Sequence, residues 1–124
     1  MISATSETPH YRTRFSNGVH EAFADTMPDK GGCAAGFRPH ELLEAALACC
    51  VNMTVRMYAD RHAIPLDAVT TRVRLDRGAE GAIFHTETEL HGTSLTPEQR
   101  EKLLAAAQAC PVRRTLSGSI RFDG

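Results

Sequence analysis

The chain has 124 residues, 42% of them hydrophobic and 23% charged, with a formal net charge of −1. That is the balance of one ordinary globular domain, expected to span residues 1–124, and not of a disordered segment. The near-neutral charge and the absence of any basic tract leave no electrostatic case for nucleic acid or an anionic membrane as partner.

The first residues, MISATSETPHYRTR, carry no apolar signal segment, and no uninterrupted apolar run approaches a membrane span, so a cytoplasmic location is expected. Residues 10 to 24 then read as two short strands joined at Asn17-Gly18, a strong hairpin signal. On the first strand Tyr11, Thr13 and Phe15 share one face, and Arg12 and Arg14 share the other. Residues 26 to 37, with Pro28, Asp29 and Gly31, Gly32 and Gly36, read as a loop. Pro39 opens a long helix predicted to run to about His62, ahead of Pro65. Val69, Thr71, Val73 and Leu75 alternate with polar neighbours in a strand. A second strand over 82 to 91 sets Phe84, Thr86, Thr88 and Leu90 against Ile83, His85, Glu87 and Glu89, with a hairpin over Gly78 to Gly81. The solvated face explains His85 and His91. Thr96-Pro97-Glu98-Gln99 is a capping box with proline at N1, starting a helix to about Ala109. Cys110-Pro111 breaks it, Val112 to Leu116 form a short restart, and Ser119 to Phe122 suit an edge strand. The class that emerges is α+β.

Chemistry concentrates on the long helix. Its residues 42 to 53 are apolar almost all round, and a helix apolar on every side is buried on every side. A chain this small has little material to surround a helix about 36 Å long, so a second copy is expected to cover part of it. Leu43, Leu47, Cys50, Thr54 and Met57 form one stripe, with Leu42, Ala46, Cys49 and Met53 beside it.

The cysteines are Cys33, Cys49, Cys50 and Cys110. In a reducing compartment such thiols stay free unless bound to metal or redox-active. Zinc needs closely spaced ligand pairs. The one close pair, Cys49-Cys50, diverges by about 100° on a helix, and neither it nor His40, His62, His85 or His91 stands at chelating spacing, so no metal is expected. Two readings of the remaining thiols stay open. A cysteine in an apolar helix often serves as a small hydrophobe. Against that, Cys110 sits at a helix break, where free backbone N–H groups favour a thiolate, so Cys50 and Cys110 make a plausible redox couple.

The stretch RPHELLEAALACCVNM, followed by CPVRRTL, resembles the OsmC/Ohr family of osmotically inducible and organic-hydroperoxide-resistance proteins. Glycines before the helix, the Ile64-Pro65-Leu66 exit and the helix carrying Glu98-Gln99-Arg100 extend the likeness over most of the chain. The resemblance implies an OsmC-like fold, an antiparallel sheet on a long central helix, formed as an intertwined homodimer. It implies a peroxidase that reduces organic hydroperoxides without a cofactor. Cys50 would be the reacting cysteine, Cys110 its disulfide partner, and an external dithiol the reductant. In the organic-hydroperoxide branch an arginine from the N-terminal strands and a glutamate directly after the helix-start proline hold the thiolate. Here His40 follows Pro39 and Glu41 comes one place later, while Arg12, Arg14 and Arg38 are the candidates for the positive charge, Arg14 foremost. His40 is open to two readings, a cation for the thiolate or a solvated first-turn residue. Glu41 is read either as a partner of the helix dipole or as the organiser of an arginine near the thiol. Cys33 is a bystander or a second resolving thiol. The alternative function is a redox-sensing or hydrophobic-ligand-binding protein with little turnover.

Overall fold

A computed structural model describes all residues, Met1–Gly124. They form two compact units, Met1–Leu43 and Glu44–Gly124.

In the first unit, strands β1 (Ser3–Ser6), β2 (Thr13–Ser16) and β3 (Glu21–Ala24) make an antiparallel sheet in that order. Ala4 lies opposite Phe15, and Phe15 opposite Ala22. The predicted alternation holds. Ile2, Ala4, Tyr11, Thr13, Phe15 and Ala24 line one open apolar groove of about 730 Å³. On the other side Arg14 pairs with Glu21 at 3.0 Å and Glu7 at 3.5 Å, and Arg12 lies over the Phe23 ring at 4.1 Å. The β2–β3 turn is longer than a two-residue Asn-Gly turn, because Ser16 faces Glu21. Asn17 Oδ1 accepts from the N–H of both Val19 and His20, an Asx turn, and Gly18 takes the φ of +96° that the turn requires. After β3 the Gly-rich loop contains a short 3₁₀ turn, Pro28–Lys30, and is folded around the buried Asp25. Its carboxylate accepts from the N–H groups of Thr26 (2.8 Å), Cys33 (3.1 Å) and Ala35 (3.0 Å). A Cβ on Gly32 or Gly36 would overlap the carbonyls of Thr26 and Phe23, so this tight return accepts only glycine at both places.

Helix α1 (Pro39–Arg61) ends one residue short of expectation. In the second unit its row Leu47, Val51, Val55 and Ala59, at strict i, i+4 spacing, is buried. Strands β4 (Ala68–Gly78) and β5 (Gly81–His91) form an antiparallel hairpin with Gly78 opposite Gly81, as their spacing predicts. The hairpin's inner face brings Val69, Val73, Phe84 and Leu90 onto that core, together with Leu103 and Ala107 of α2 (Pro97–Ala107) and Cys110. Its outer face is ion-paired. Arg72 meets Glu89 at 3.1 Å, His85 meets Asp76 at 3.0 Å, and His91 meets the Thr70 hydroxyl at 3.0 Å. Thr96 caps α2 as a full capping box. The restart after Pro111 is a true helix, α3 (Pro111–Ser117).

The antiparallel strands group as three and two. One expectation is corrected. Ser119 to Phe122 form no strand; they pair with none, and Ile120 and Phe122 stand exposed. By length and composition α1 would suffice to cross a membrane, with mean hydropathy 1.2 over an 18-residue window, even though no uninterrupted apolar run of that length exists. That hydropathy belongs to a helix whose buried row forms the core.

Candidate active site

Cys50 lies on α1 three residues beyond Leu47, at the border of the buried row, and is half-buried. Cys110 is carried to it by the break between α2 and α3. Pro111 forbids helical conformation in the residue before it, so Cys110 is extended (φ −61°, ψ 131°) and becomes the N-cap of α3. In that position its sulfur accepts from the Arg113 N–H at 3.4 Å. Cys110 is fully buried, at 0% exposure, as a member of the core cluster that includes Leu47, Val51, Leu103 and Ala107.

The two thiols interact with each other, and their environments push them apart in acidity. Burial pushes the Cys50 thiol up. Hydrogen bonds from the Cys110 thiol, the Val112 N–H and the Thr54 hydroxyl outweigh it and hold Cys50 below the ordinary thiol value. Burial also pushes Cys110 up, and donating to Cys50 pushes it further; the Arg113 N–H only partly offsets this. Cys50 is therefore the thiol poised to ionise, and Cys110 the one that keeps its proton.

All the donors that depress Cys50 are neutral. The candidates for a cation all have carboxylate partners within the first unit. Arg14 pairs with Glu7 and Glu21, Arg12 with Glu7 at 3.6 Å, and Arg38 with Glu41. Glu41, at the third position of α1, accepts from both the Arg38 N–H (2.9 Å) and its Nε (3.0 Å), which hold its carboxyl below the usual carboxylate range. Glu41 thus pairs with Arg38. His40 is exposed on the first turn of α1. Cys33 is exposed on the Asp25-held loop, and Cys49 is exposed beside a cleft of about 260 Å³ with Asn52, Met53 and Thr71. Nowhere do three His, Cys, Asp or Glu side chains converge as they would on a metal ion.

Two groups at the site had no role in the sequence reading, although Thr54 stood on the stripe of Cys50. Thr54, one turn beyond Cys50, also donates to the Cys50 carbonyl at 2.7 Å; a threonine four residues after the cysteine is the signal that pointed to it. The Val112 N–H is the second free donor of a helix opened by proline, a pattern legible in Cys110-Pro111 once a helix is placed there.

A family model described as OsmC-like protein matches residues 30–123. The chain belongs to the OsmC-like family. No functionally curated protein matches it. Among solved structures, this OsmC-like chain is similar to a protein of Psychrobacter arcticus, provisionally named for osmotic stress induction and detoxification response. That pair shares 21% identity and a TM-score of 0.76, over 92% of this chain and 85% of that one. An organic hydroperoxide resistance protein OsmC of Legionella pneumophila matches at 23% identity and TM-score 0.67, over 95% and 88% of the two chains. An organic hydroperoxide resistance protein of Elizabethkingia anophelis matches at 25% identity and TM-score 0.63, over 96% and 88%. These likenesses establish the α+β fold with antiparallel sheets and three helices.

Proposed function

We propose that this OsmC-like protein is a thiol-dependent peroxidase for organic hydroperoxides, working through Cys50 and Cys110 as a cytoplasmic homodimer. The observation that carries the reading is a half-buried thiol, held below the ordinary thiol value, interacting with a fully buried one that is pushed above it. The names of the Legionella and Elizabethkingia proteins give it a substrate class. The Cys50 thiolate attacks one peroxide oxygen; an S–O bond forms, the O–O bond breaks, and the alcohol leaves with a proton. The sulfur of the resulting sulfenic acid is then attacked by Cys110, water leaves, and a disulfide closes. An external dithiol restores both thiols. No metal or organic cofactor enters these steps. A second copy is supported by the exposed apolar row Cys49, Met53 and Met57 on α1.

One observation favours a second reading, a redox-sensing or hydrophobic-ligand-binding protein with little turnover: neutral donors alone set the acidity of Cys50. The two are separated by one assay. Cumene hydroperoxide with a dithiol is consumed over many turnovers by the wild type and not by Cys50→Ser, and one equivalent of peroxide yields a Cys50–Cys110 disulfide by peptide mapping. Oxidation without turnover supports the sensor. A disulfide from Cys50 to Cys49 or Cys33 overturns the assignment of Cys110.

A further inference from the structure

We infer that an external thiol reduces the oxidised protein by attacking the sulfur of Cys50 and expelling Cys110, so that the mixed disulfide with the reductant forms on Cys50. The inference rests on the two-cysteine cycle just proposed and fixes which end of its disulfide meets the partner.

Thiol–disulfide exchange is an in-line displacement: the incoming sulfur approaches the attacked sulfur from the side opposite the one that leaves. An attack on Cys110 would have to come through the buried core cluster in which Cys110 has no exposed surface, and past the α3 first turn that holds its sulfur. Cys50 is the residue of the pair that keeps some exposure.

Leaving-group chemistry argues the other way, since the more acidic Cys50 is the better leaving group. That preference is weak. With the shallow slope of about 0.5 that governs such exchanges, a tenfold difference in acidity changes the rate only about threefold. Burial acts more strongly, because exchange at a covered sulfur waits for the site to open. Access therefore decides the first step.

The balance of that step is simple. The reductant sulfur bonds to Cys50, the Cys50–Cys110 bond breaks with its electron pair on Cys110, and the proton of the reductant thiol ends on Cys110. There the Arg113 N–H receives the sulfur, and burial keeps it protonated, which slows its return. In the second step the other thiol of the reductant attacks its own bonded sulfur. Now Cys50 leaves, and the Val112 N–H, the Thr54 hydroxyl and the Cys110 thiol are there to hold its charge. A poor leaving group departs first into a prepared place, and the good one departs second. The arrangement suits a dithiol and stalls a monothiol after one step.

Glutathione, a monothiol, is the probe. In a Cys33→Ser, Cys49→Ser background the protein is oxidised with one equivalent of cumene hydroperoxide, and the Cys50–Cys110 disulfide is checked by peptide mapping. Glutathione is then added, and the reaction is quenched in acid at early times. The expected product carries glutathione on Cys50 with Cys110 free. Glutathione on Cys110 with Cys50 free overturns the inference while leaving the two-cysteine cycle standing. Absence of the disulfide before glutathione is added removes the cycle itself, and the inference with it. A second measurement avoids migration between sulfurs. In that background, oxidised glutathione modifies the Cys110→Ser variant, through Cys50, at least about tenfold faster than it modifies Cys50→Ser, through Cys110. Equal rates overturn the access argument.

Discussion

Thr54 has one hydroxyl proton and two acceptors within reach, the Cys50 carbonyl and the Cys50 sulfur. While the thiol is neutral the carbonyl is the better acceptor. Once it ionises, the charged sulfur competes more strongly. Removing that donor raises the Cys50 pKa, so at a pH below it less thiolate is present. Thr54→Val is expected to slow alkylation of Cys50 by iodoacetamide at neutral pH roughly three- to tenfold, the worth of one hydrogen bond of about 0.5–1.5 kcal/mol. The pH profile of the rate should move to higher pH, and Thr54→Ser should restore it. An unchanged profile would show that Thr54 serves only the backbone. Asp25 offers a second test at this scale. The N–H groups of Ala35 and Thr26 lower its pKa most, burial opposes them, and the Cys33 N–H and the Arg12 guanidinium add to the lowering. A carboxyl depressed in the folded state stabilises the fold at pH above its unfolded value of about 3.9, and that contribution is lost as pH falls through the folded value. Asp25→Asn should therefore melt several degrees below the wild type at neutral pH, and the gap should begin to narrow below about pH 4 and close as pH falls through the lowered folded value. A gap independent of pH would mean that shape, not charge, holds the loop.

Among the elements, the seam between α1 and β4 is the one the sequence concealed. Alternate residues of β4 turn their backbone groups away from β5, and α1 answers them with side chains from one row. Glu44 accepts from the Leu75 N–H at 2.8 Å and Asn52 donates to the Val69 carbonyl at 2.8 Å, while Arg56 donates at 2.6 Å to the carbonyl of Leu66, just before the strand. Ala48, between Glu44 and Asn52, is too short to join them, and there the Thr71 hydroxyl is buried without a partner. Three polar residues in a helix otherwise rich in apolar ones looked like interruptions, because a strand edge as their destination leaves no periodic mark. What did carry a periodic mark was legible. The alternation in β4 and β5, the capping box of α2 and the proline break before α3 all appear where the pattern put them. Strand β1 went unread because SATS is short and polar and is a strand only by pairing with β2. Asn52→Ala is expected to cost about 1–3 kcal/mol in urea unfolding, since it leaves the Val69 carbonyl without its side-chain donor. A loss below a few tenths would mean that water replaces the amide.

For the molecule as a whole, the sequence placed the two sulfurs correctly on the seams of a helix and a break, but it could not supply what covers the rest of α1. The helix looked apolar all round, and the structure divides it. Leu47, Val51, Val55 and Ala59 are buried, while Cys49, Met53 and Met57, at the same i, i+4 spacing, face out, with Met53 59% and Met57 55% exposed. A row of that kind on a central helix is what a second copy would cover, and a two-fold interface would use it twice. The expected outcome is a dimer by light scattering, with Met53→Asp monomeric. Two carboxylates enter each dimer, desolvation costs several kcal/mol per ion, and about 1.4 kcal/mol is tenfold in affinity, so the dissociation constant should rise by at least about three orders of magnitude. Met53 is remote from the core row, so circular dichroism of the variant should remain that of a folded chain. If the wild type is monomeric at every concentration tested, or if Met53→Asp dimerises as tightly as the wild type, the second copy does not sit on this row.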